Sequence, residues 1–548
     1  MPVFGGIVIA LQLSGCGSSS NENPNNTVVI SDTIVLSDPN FKTTHFSGSK
    51  NCAICHNSLK DENNVDVSVE LDWGSTMMAN AARDPLFRAK MASETIRNPS
   101  LKSVIEEKCS RCHTPMANVE AQESEQMVSL LPPGFLSENH ALYDAAMDGV
   151  SCTVCHQIED SLTLGTIDSF TGNYTINSLQ TIYGPFTNPL VSPMVGSSGY
   201  TPEYSSHISS SKLCSTCHNL YTDIVDINTG ELTGEQFPEQ NIYNEWEQSS
   251  FADEVNGKTC QDCHMPETNG VQVSSIGVLA PRDNFSKHYF VGGNTYMLDI
   301  FNKNKTTLGV RGNNFDASIE RTRSLLQSSA KLEMIKSSNS GGALNFTIQV
   351  KNLTGHKLPS GYPARRAYLH VTVKDEAANI VFESGKLNTN GSIVGVDSDD
   401  DASKYEPHHS LITDAKQVQV YESIMADTNG QVTYTLMNGA TYLKDNRILP
   451  DGLVKATATP DVSPDAIALA DADFMASSDE VDYQIALSSD QSYSVEVELN
   501  YQSLAYRYAQ DLFSDIDKHD YINTFKTLYD DASNIQKETI YSINIIID

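Results

Sequence analysis

The sequence predicts an α+β, multidomain chain. A mostly helical, loop-rich region, residues 41–325, is expected to precede an antiparallel, β-sandwich-like domain, residues 326–548. Two observations predict this division. Ten of the eleven cysteines lie in five C-x-x-C-H motifs, all of them in the first region, and apolar residues alternate with polar ones in the second. At 548 residues the chain is too long for one hydrophobic core, so several domains are expected.

Residues 1–16 resemble a bacterial lipoprotein signal. An apolar run at residues 3–13 has the length of a signal h-region and is too short to span a bilayer. The four residues that end at Cys16 resemble a lipobox, which implies that the Cys16 thiol is diacylated and that Cys16 becomes the mature N-terminus. The sequence departs from such a signal in that no Lys or Arg precedes the apolar run. An ordinary cleaved signal with an incidental cysteine is the alternative. Residues 17–40 are rich in Ser and Asn and are interpreted as a flexible tether.

Each C-x-x-C-H motif has the spacing that covalent haem attachment needs. The two thiols add across the two haem vinyl groups, and the adjacent histidine binds the iron. A dithiol or half of a zinc site is the rival interpretation of a single copy, but five copies favour five haem c groups. The attachment residues are Cys52 and Cys55, Cys109 and Cys112, Cys152 and Cys155, Cys214 and Cys217, and Cys260 and Cys263, and the proximal iron ligands are His56, His113, His156, His218 and His264.

Five further histidines are interpreted as distal iron ligands, namely His45, His140, His207, His288 and His356. His45 and His207 each lie seven residues before a motif cysteine, and that repetition is the main argument for them. His288 follows the last motif, and His356 lies in a loop bounded by Gly and Pro. The remaining histidines, His370, His408, His409 and His519, are interpreted as lying on the polar face of a strand or in solvent. Met116 and Met265 follow motifs closely and are alternative axial ligands.

The formal charge of −33 disfavours nucleic acid and anionic lipid headgroups as partners. It suits a basic redox partner, a cationic substrate or simple solubility. The carboxylates at residues 397–401 are dense enough to bind Ca²⁺, but the EF-hand pattern is absent. They are therefore interpreted as a solvated charge run.

Local patterns predict the following elements. Helices are expected over 75–83 and 85–94, and residues 160–203 are expected to be mainly loop. Period-two alternation predicts strands at 345–351, 367–374, 494–499 and 541–547, with a helix at 504–513 inserted between the last two.

Several stretches resemble multihaem c-type cytochromes of the cytochrome c-554 and c-552-like group. They are residues 73–79, 81–87, 149–156, 245–251 and 257–266. Residues 355–366 and 442–450 resemble stretches of large multihaem cytochromes of respiratory bacteria. The resemblance covers most of residues 41–450 and implies a mostly helical haem domain, stacked haems and electron transfer. The motifs are specific for haem and only weakly specific for a reaction.

Electron transfer along five haems at the bacterial cell envelope, respiratory or extracellular, is the leading hypothesis. Its partners would be other redox proteins or an extracellular or periplasmic acceptor, with a lipid anchor, at the outer membrane, as the membrane contact. One alternative is a haem oxidoreductase that acts on a small nitrogen or sulfur oxyanion at an open haem. No C-x-x-C-K motif is present, which disfavours the nitrite reductases that use it. Another alternative is a cytochrome assembly subunit that binds neighbours through edge strands. Whether the chain is an enzyme is left open, and the carrier is favoured.

Overall fold

The computed structural model describes residues 36–532 and 536–548. Val35–Asp548 forms one compact unit. The predicted signal at 1–16, the predicted lipidation at Cys16 and the tether up to residue 35 lie outside the described residues. Among the residues that are described, no helix has both the length and the apolar character needed to cross a membrane.

Each of the five motifs begins in a helix. These helices are α1 (Ser49–Ala53), α4 (Lys102–His113), α7 (Cys152–Cys155), α9 (Ser211–His218) and α11 (Cys260–His264). Between them lie α2 (Val69–Trp73), α3 (Pro85–Arg97), α5 (Pro115–Glu123), α6 (Tyr143–Met147), α8 (Val191–Ser198) and α10 (Ile242–Glu247), and α12 (Thr295–Lys303) and α13 (Phe315–Ser328) follow. Three small sheets join this region: β1 (Thr181–Gly184) with β2 (Thr201–Tyr204), β3 (Asn219–Asp226) with β4 (Glu231–Asn241), and β5 (Glu267–Thr268) with β6 (Phe285–Ser286).

The helix predicted over 85–94 is confirmed as α3, whereas the helix predicted over 75–83 is wrong. That segment forms successive turns. Asn80 Nδ2 donates to the carbonyl oxygens of Gly74 (3.2 Å) and Thr76 (2.9 Å), and Thr76 Oγ1 donates to Trp73 O (2.7 Å). Such side-chain bonds offer the backbone an alternative to helical hydrogen bonds. The predicted loop at 160–203 also contains α8.

Two larger sheets follow residue 329. One has the order β13-β12-β9-β16-β17, with β10 paired to β9 and β14 paired to β12, and the other has the order β11-β15-β8-β7. Their strands are β7 (Ala330–Ser340), β8 (Ala343–Asn352), β9 (Arg366–Lys374), β10 (Ile380–Ser384), β11 (Leu411–Ile412), β12 (Val420–Ala426), β13 (Val432–Thr433), β14 (Thr441–Asp445), β15 (Ser478–Ile485), β16 (Tyr493–Gln502) and β17 (Glu538–Ile547). The four predicted strands fall in β8, β9, β16 and β17 and are confirmed. Within these two sheets pairing is antiparallel except between β11 and β15.

Side chains from both sheets share one hydrophobic core. Ile348 of β8 and Val371 of β9 are fully buried in it, and Val497 of β16 lies opposite Val371 in register. The alternation that predicts these strands therefore also predicts which of their side chains are buried.

The C-terminal helices pack on the motif-bearing region. They are α14 (Asp397–Asp400), α15 (Ala466–Ala470), α16 (Tyr506–Phe513) and α17 (Asp520–Asp531), and α16 confirms the predicted inserted helix. A second hydrophobic core joins residues of α3 and α12 to residues of α16 and α17. Arg97 at the end of α3 forms ion pairs with Asp511 and Asp515, both at 2.7 Å. The predicted boundary at 325/326 lies in the last turn of α13 and remains a prediction.

The charge run at 397–401 is not fully solvated, contrary to expectation. Asp399 accepts two hydrogen bonds from the guanidinium of Arg366, at 2.9 and 2.8 Å, and both side chains are buried. Asp399 Oδ2 also accepts the backbone N–H of Ile393 at 2.7 Å. This buried pair ties the loop before β11 to β9.

Candidate haem-binding site

A cavity of about 1730 Å³ is lined by all ten motif cysteines and all five motif histidines. Sites for a single small molecule typically measure about 300–1,000 Å³, so this cavity is large enough to take several groups. The ten cysteines form no disulfide bonds with one another. Five sequence-distant motifs thus open onto one space, although uneven spacers separate them along the chain.

Backbone carbonyl groups orient four of the motif histidines. The Nδ1 atoms lie at hydrogen-bond distance from carbonyl oxygens in the pairs His56–Val273 (2.7 Å), His113–Ala81 (3.3 Å), His156–Tyr183 (2.6 Å) and His264–Val291 (2.5 Å). A carbonyl only accepts, so Nδ1 carries the proton and Nε2 keeps a free lone pair. Burial lowers the pKa of His113 and of His218 to about 4, which keeps both imidazoles neutral. A neutral imidazole with a free Nε2 is what a metal ion requires.

Two motif histidines each face a predicted distal ligand. The ring centres of His156 and His288 are 6.4 Å apart with an interplanar angle of 21°, and those of His264 and His356 are 6.3 Å apart at 19°. A metal–imidazole bond is about 2.0–2.1 Å long. When two imidazoles bind one metal ion from opposite sides, these two bonds and the distance from each nitrogen to its ring centre give a separation of about 6 Å between the ring centres. Both pairs therefore have the spacing of bis-histidine ligation. His288 and His356 line the cavity.

A buried carboxylate anchors the loop that carries His356. Glu245 of α10 accepts the backbone N–H of Lys357 at 3.0 Å and the Ser360 hydroxyl at 2.7 Å. His356 Nδ1 in turn bonds the carbonyl oxygen of Lys357 at 2.9 Å, which leaves Nε2 free. Glu245 thus fixes the backbone on which this imidazole depends.

Three further charges complete the anchor. Lys357 Nζ contacts Asp445 at 2.7 Å, and Arg447 contacts Asp445 at 2.7 Å and Glu245 at 3.0 Å. Burial raises the pKa of Asp445, but Arg447 and Lys357 outweigh burial and hold it at about 2. Two cations and two carboxylates therefore neutralise each other inside the protein, as a buried network requires. Sequence reasoning missed this role, although the resembling stretches 245–251, 355–366 and 442–450 contain all four residues.

The other three predicted distal ligands do not line the cavity. His207 is buried, and its ring nitrogens bond Ser205 Oγ (2.7 Å) and Ile158 O (2.8 Å). His45 Nδ1 contacts Glu120 at 3.2 Å. His140 Nδ1 accepts the backbone N–H of Leu142 at 3.1 Å. His207 and His45 lie beside the third motif, since they bond Ile158 and Gln157 just beyond His156, but neither lines the cavity. The ligand role of all three histidines stays a prediction.

The ring beside His113 is that of Phe87 of α3, and no second histidine faces His113 among the described residues. The two rings are stacked with centres 3.7 Å apart and an interplanar angle of 2°. α3 also directs Lys90 and Glu94 to the cavity, one and two helical turns beyond Phe87. The surroundings of the second motif thus combine an aromatic ring beside the histidine with a buried Lys–Glu pair.

Contacts between thiols give the spatial order of the attachment sites. Cys52 lies beside Cys152, Cys112 beside Cys217 and Cys214 beside Cys260, close enough for each thiol to affect the pKa of its neighbour. Cys155 lies close enough to Cys217 for their charges to interact. The packing of α1 on α7 and of α9 on α11 agrees with these contacts. The order is first, third, fourth, fifth, and the second motif adjoins the fourth.

His408 lies buried beside Asp471 and Asp479, so the interpretation as a solvated residue is wrong. Its Nε2 is 3.2 Å from Asp471 and 3.8 Å from Asp479. Its Nδ1 faces the amide nitrogens of Gln419 (3.0 Å) and Asn446 (3.1 Å). Those amides donate, so Nδ1 accepts and the proton sits on Nε2. The group is a hydrogen-bonded network, and His408 has no lone pair to offer a metal ion.

Comparisons with known proteins concern the fold. No protein-family model matches the sequence, and neither does any curated protein. The structure is similar to the crystal structure of a penta-heme cytochrome c552 from Thermochromatium tepidum, with a TM-score of 0.53 and 15% sequence identity. The similarity covers 92% of this chain and 100% of that chain. The mixed helical and β architecture is thus shared along nearly the whole chain.

Proposed function

We propose that this protein is a multihaem c-type cytochrome that transfers electrons along five covalently bound haems. The observation that carries the proposal is the common cavity, which all ten motif cysteines and all five motif histidines line. Bound haem c would supply one-electron redox chemistry at each iron. The chain would hold the five groups side by side, because the attachment sites adjoin in the order given by the thiol contacts.

The residues of the chain have separate tasks in this function. The cysteine pairs fix each haem in position. The backbone carbonyls that bond Nδ1 set the tautomer and the ring orientation of four proximal histidines. His288 and His356 would complete the coordination of the third and fifth irons, which leaves no position there for a substrate.

Removal of a facing histidine is expected to open one iron. In His288→Ala and in His356→Ala, low-temperature EPR of the oxidised five-haem protein should show one low-spin signal replaced by a high-spin signal. His370→Ala is the control, because His370 lies on β9 between Glu383 and Glu498, at 3.2 and 3.3 Å, and not in the cavity lining. A mass measurement after denaturation should give five haems in all three variants. Unchanged spectra in both test variants, or a chain without covalent haem, would contradict the proposal.

A haem oxidoreductase is the second candidate. The observation that favours it is that His56, His113 and His218 have no facing histidine among the cavity-lining residues of the described chain. An iron that remains open would bind a small nitrogen or sulfur oxyanion, with acid–base groups such as Lys90 and Glu94 nearby. In the wild-type protein, a high-spin EPR signal that shifts on adding nitrite or hydroxylamine would favour this candidate over the carrier.

We further propose that the protein acts at the bacterial cell envelope, attached by a lipid at Cys16, with other redox proteins or an external acceptor as partners. Cys16→Ser is expected to move the protein from the membrane fraction to the soluble fraction, with the haem content unchanged. Immunoblots of both fractions measure this. A membrane-bound Cys16→Ser protein would exclude Cys16 as the anchor.

A further inference from the structure

Glu239 of β4 is a buried carboxyl that opens onto the cavity. It is 2% exposed and belongs to the cavity lining. Its Oε1 has a weak contact with the Gln240 amide at 3.5 Å, and its Oε2 has no hydrogen-bond partner within the described residues. A buried carboxylate without partners is costly, so this side chain needs a proton or a nearby positive charge.

The cations near Glu239 are already paired. Lys90 Nζ lies 2.8 Å from Glu94, and Lys108 Nζ lies 2.7 Å from Asp223. Burial, followed by the charge of Glu94, raises the pKa of Glu239 to about 7. Its protonation is therefore balanced at neutral pH, and a change of one charge close by would shift it.

The second attachment site lies close to this carboxyl. Burial, followed by the charges of Glu239 and Glu94, raises the pKa of the Cys109 thiol. Both carboxyls therefore lie near this thiol. The other titratable groups that face Glu239 are the phenols of Tyr362, Tyr442 and Tyr508, and burial raises the pKa of each. These phenols stay neutral near pH 7. Glu239 is thus poised to titrate near neutral pH, whereas burial raises the pKa of Asp84, a second carboxyl of the cavity lining, only to about 6.

We propose that Glu239 takes up one proton when the haem held by Cys109 and Cys112 takes up one electron, so that electron transfer at this site is proton-coupled. The inference rests on the proposed function, since it requires a haem at the second motif. One electron from a one-electron donor would reduce the bound haem from the ferric to the ferrous state. One proton from solvent binds a Glu239 carboxyl oxygen, and the summed charge of haem and carboxyl does not change.

The sign of the effect follows from charge. The electron adds negative charge beside Glu239 in a medium of low dielectric constant and so raises its affinity for a proton. The midpoint potential of this haem therefore falls as pH rises through a window around pH 7. For one electron and one proton, a tenfold change in proton concentration corresponds to about 59 mV, so the slope approaches that value per pH unit.

The test is a redox titration of the full-length holoprotein from acid to alkaline pH, with an electrode as the donor. The wave of the second haem is identified by its absence in the double variant Cys109→Ala/Cys112→Ala. In the wild type this wave should show the pH slope, and in Glu239→Gln the slope should vanish. Glu235→Gln is the matched control, because Glu235 lies on the same strand but is exposed. It should keep the slope.

Glu239→Asp supplies a second variant that keeps a carboxyl. Its wave should retain a pH slope in a displaced window. A slope that persists in Glu239→Gln, a wild-type wave without a slope, or identical windows in the wild type and Glu239→Asp would each overturn the inference. A chain without covalent haem would instead refute the proposed function, and haem content measured on every sample separates the two failures.

Discussion

Replacing Cys214 and Cys217 with alanine is expected to divide the electron path in two. The fourth motif is the site that adjoins all the others except the first: Cys217 contacts Cys112 and lies near Cys155, and Cys214 contacts Cys260. Without a haem at this motif, the sites of the first and third motifs lose their neighbour on the way to the fifth. After reduction by a photochemical donor, only a fraction of the four remaining haems should then be reduced in the rapid phase. The rate for the other haems should be lower by at least an order of magnitude.

The control for this variant removes a different haem. Cys109→Ala/Cys112→Ala also leaves four haems, but the second motif adjoins only the fourth among the thiol contacts described, so the series from the first to the fifth stays intact. Its four haems should all be reduced in the rapid phase. Circular dichroism and haem content should be alike in the two variants. Equal fractions of rapid reduction would show that the order inferred from the thiols is wrong.

The sequence predicts the attachment chemistry and most of the β structure, because both depend on local patterns. The cysteines and the histidine of C-x-x-C-H lie within about one turn of chain, and the alternating residues 345–351 lie within one strand. The failure at residues 75–83 is also local. Thr76 and Asn80 bond the backbone there and replace the helix that the apolar pattern favours.

The second ligands could be predicted only in part, because they depend on tertiary structure. His288 and His356 lie 132 and 92 residues along the chain from the motif histidines they face. Only the fold brings these rings together. The equal spacing of His45 and His207 before a motif predicts equal roles, but the fold places them differently. His207 is buried with both nitrogens bonded, and His45 contacts Glu120. Sequence spacing alone does not specify which imidazoles reach the cavity.

Buried charge is the other feature that the sequence does not disclose. Asp399 and His408 stand among acidic or polar neighbours along the chain, a pattern typical of solvated surface. Both are buried because residues of other strands and loops complete their hydrogen bonds, Arg366 for Asp399 and Gln419 and Asn446 for His408. Glu245 differs from the exposed Glu247 of the same helix through such tertiary contacts, whereas Glu239 is buried without them.

Glu245→Ala is expected to lower the free energy of unfolding by about 3–5 kcal/mol, the usual cost of removing one partner from a buried ion pair. The anchor then retains two cations, Lys357 and Arg447, for the single carboxylate of Asp445. The Lys357 N–H and the Ser360 hydroxyl also lose their acceptor. Guanidinium unfolding of the holoprotein, followed by circular dichroism, measures the loss.

The same substitution should also act on the iron that faces His356. The loop that holds this imidazole is anchored by Glu245, so part of the fifth-motif haem should become high-spin in EPR while the other four keep their signals. Glu247→Ala is the matched control, because Glu247 lies on the same helix but is exposed. It should change neither the stability by more than about 0.5 kcal/mol nor the spectrum. A destabilised Glu245→Ala protein with all signals unchanged would mean that Glu245 stabilises the fold without positioning His356.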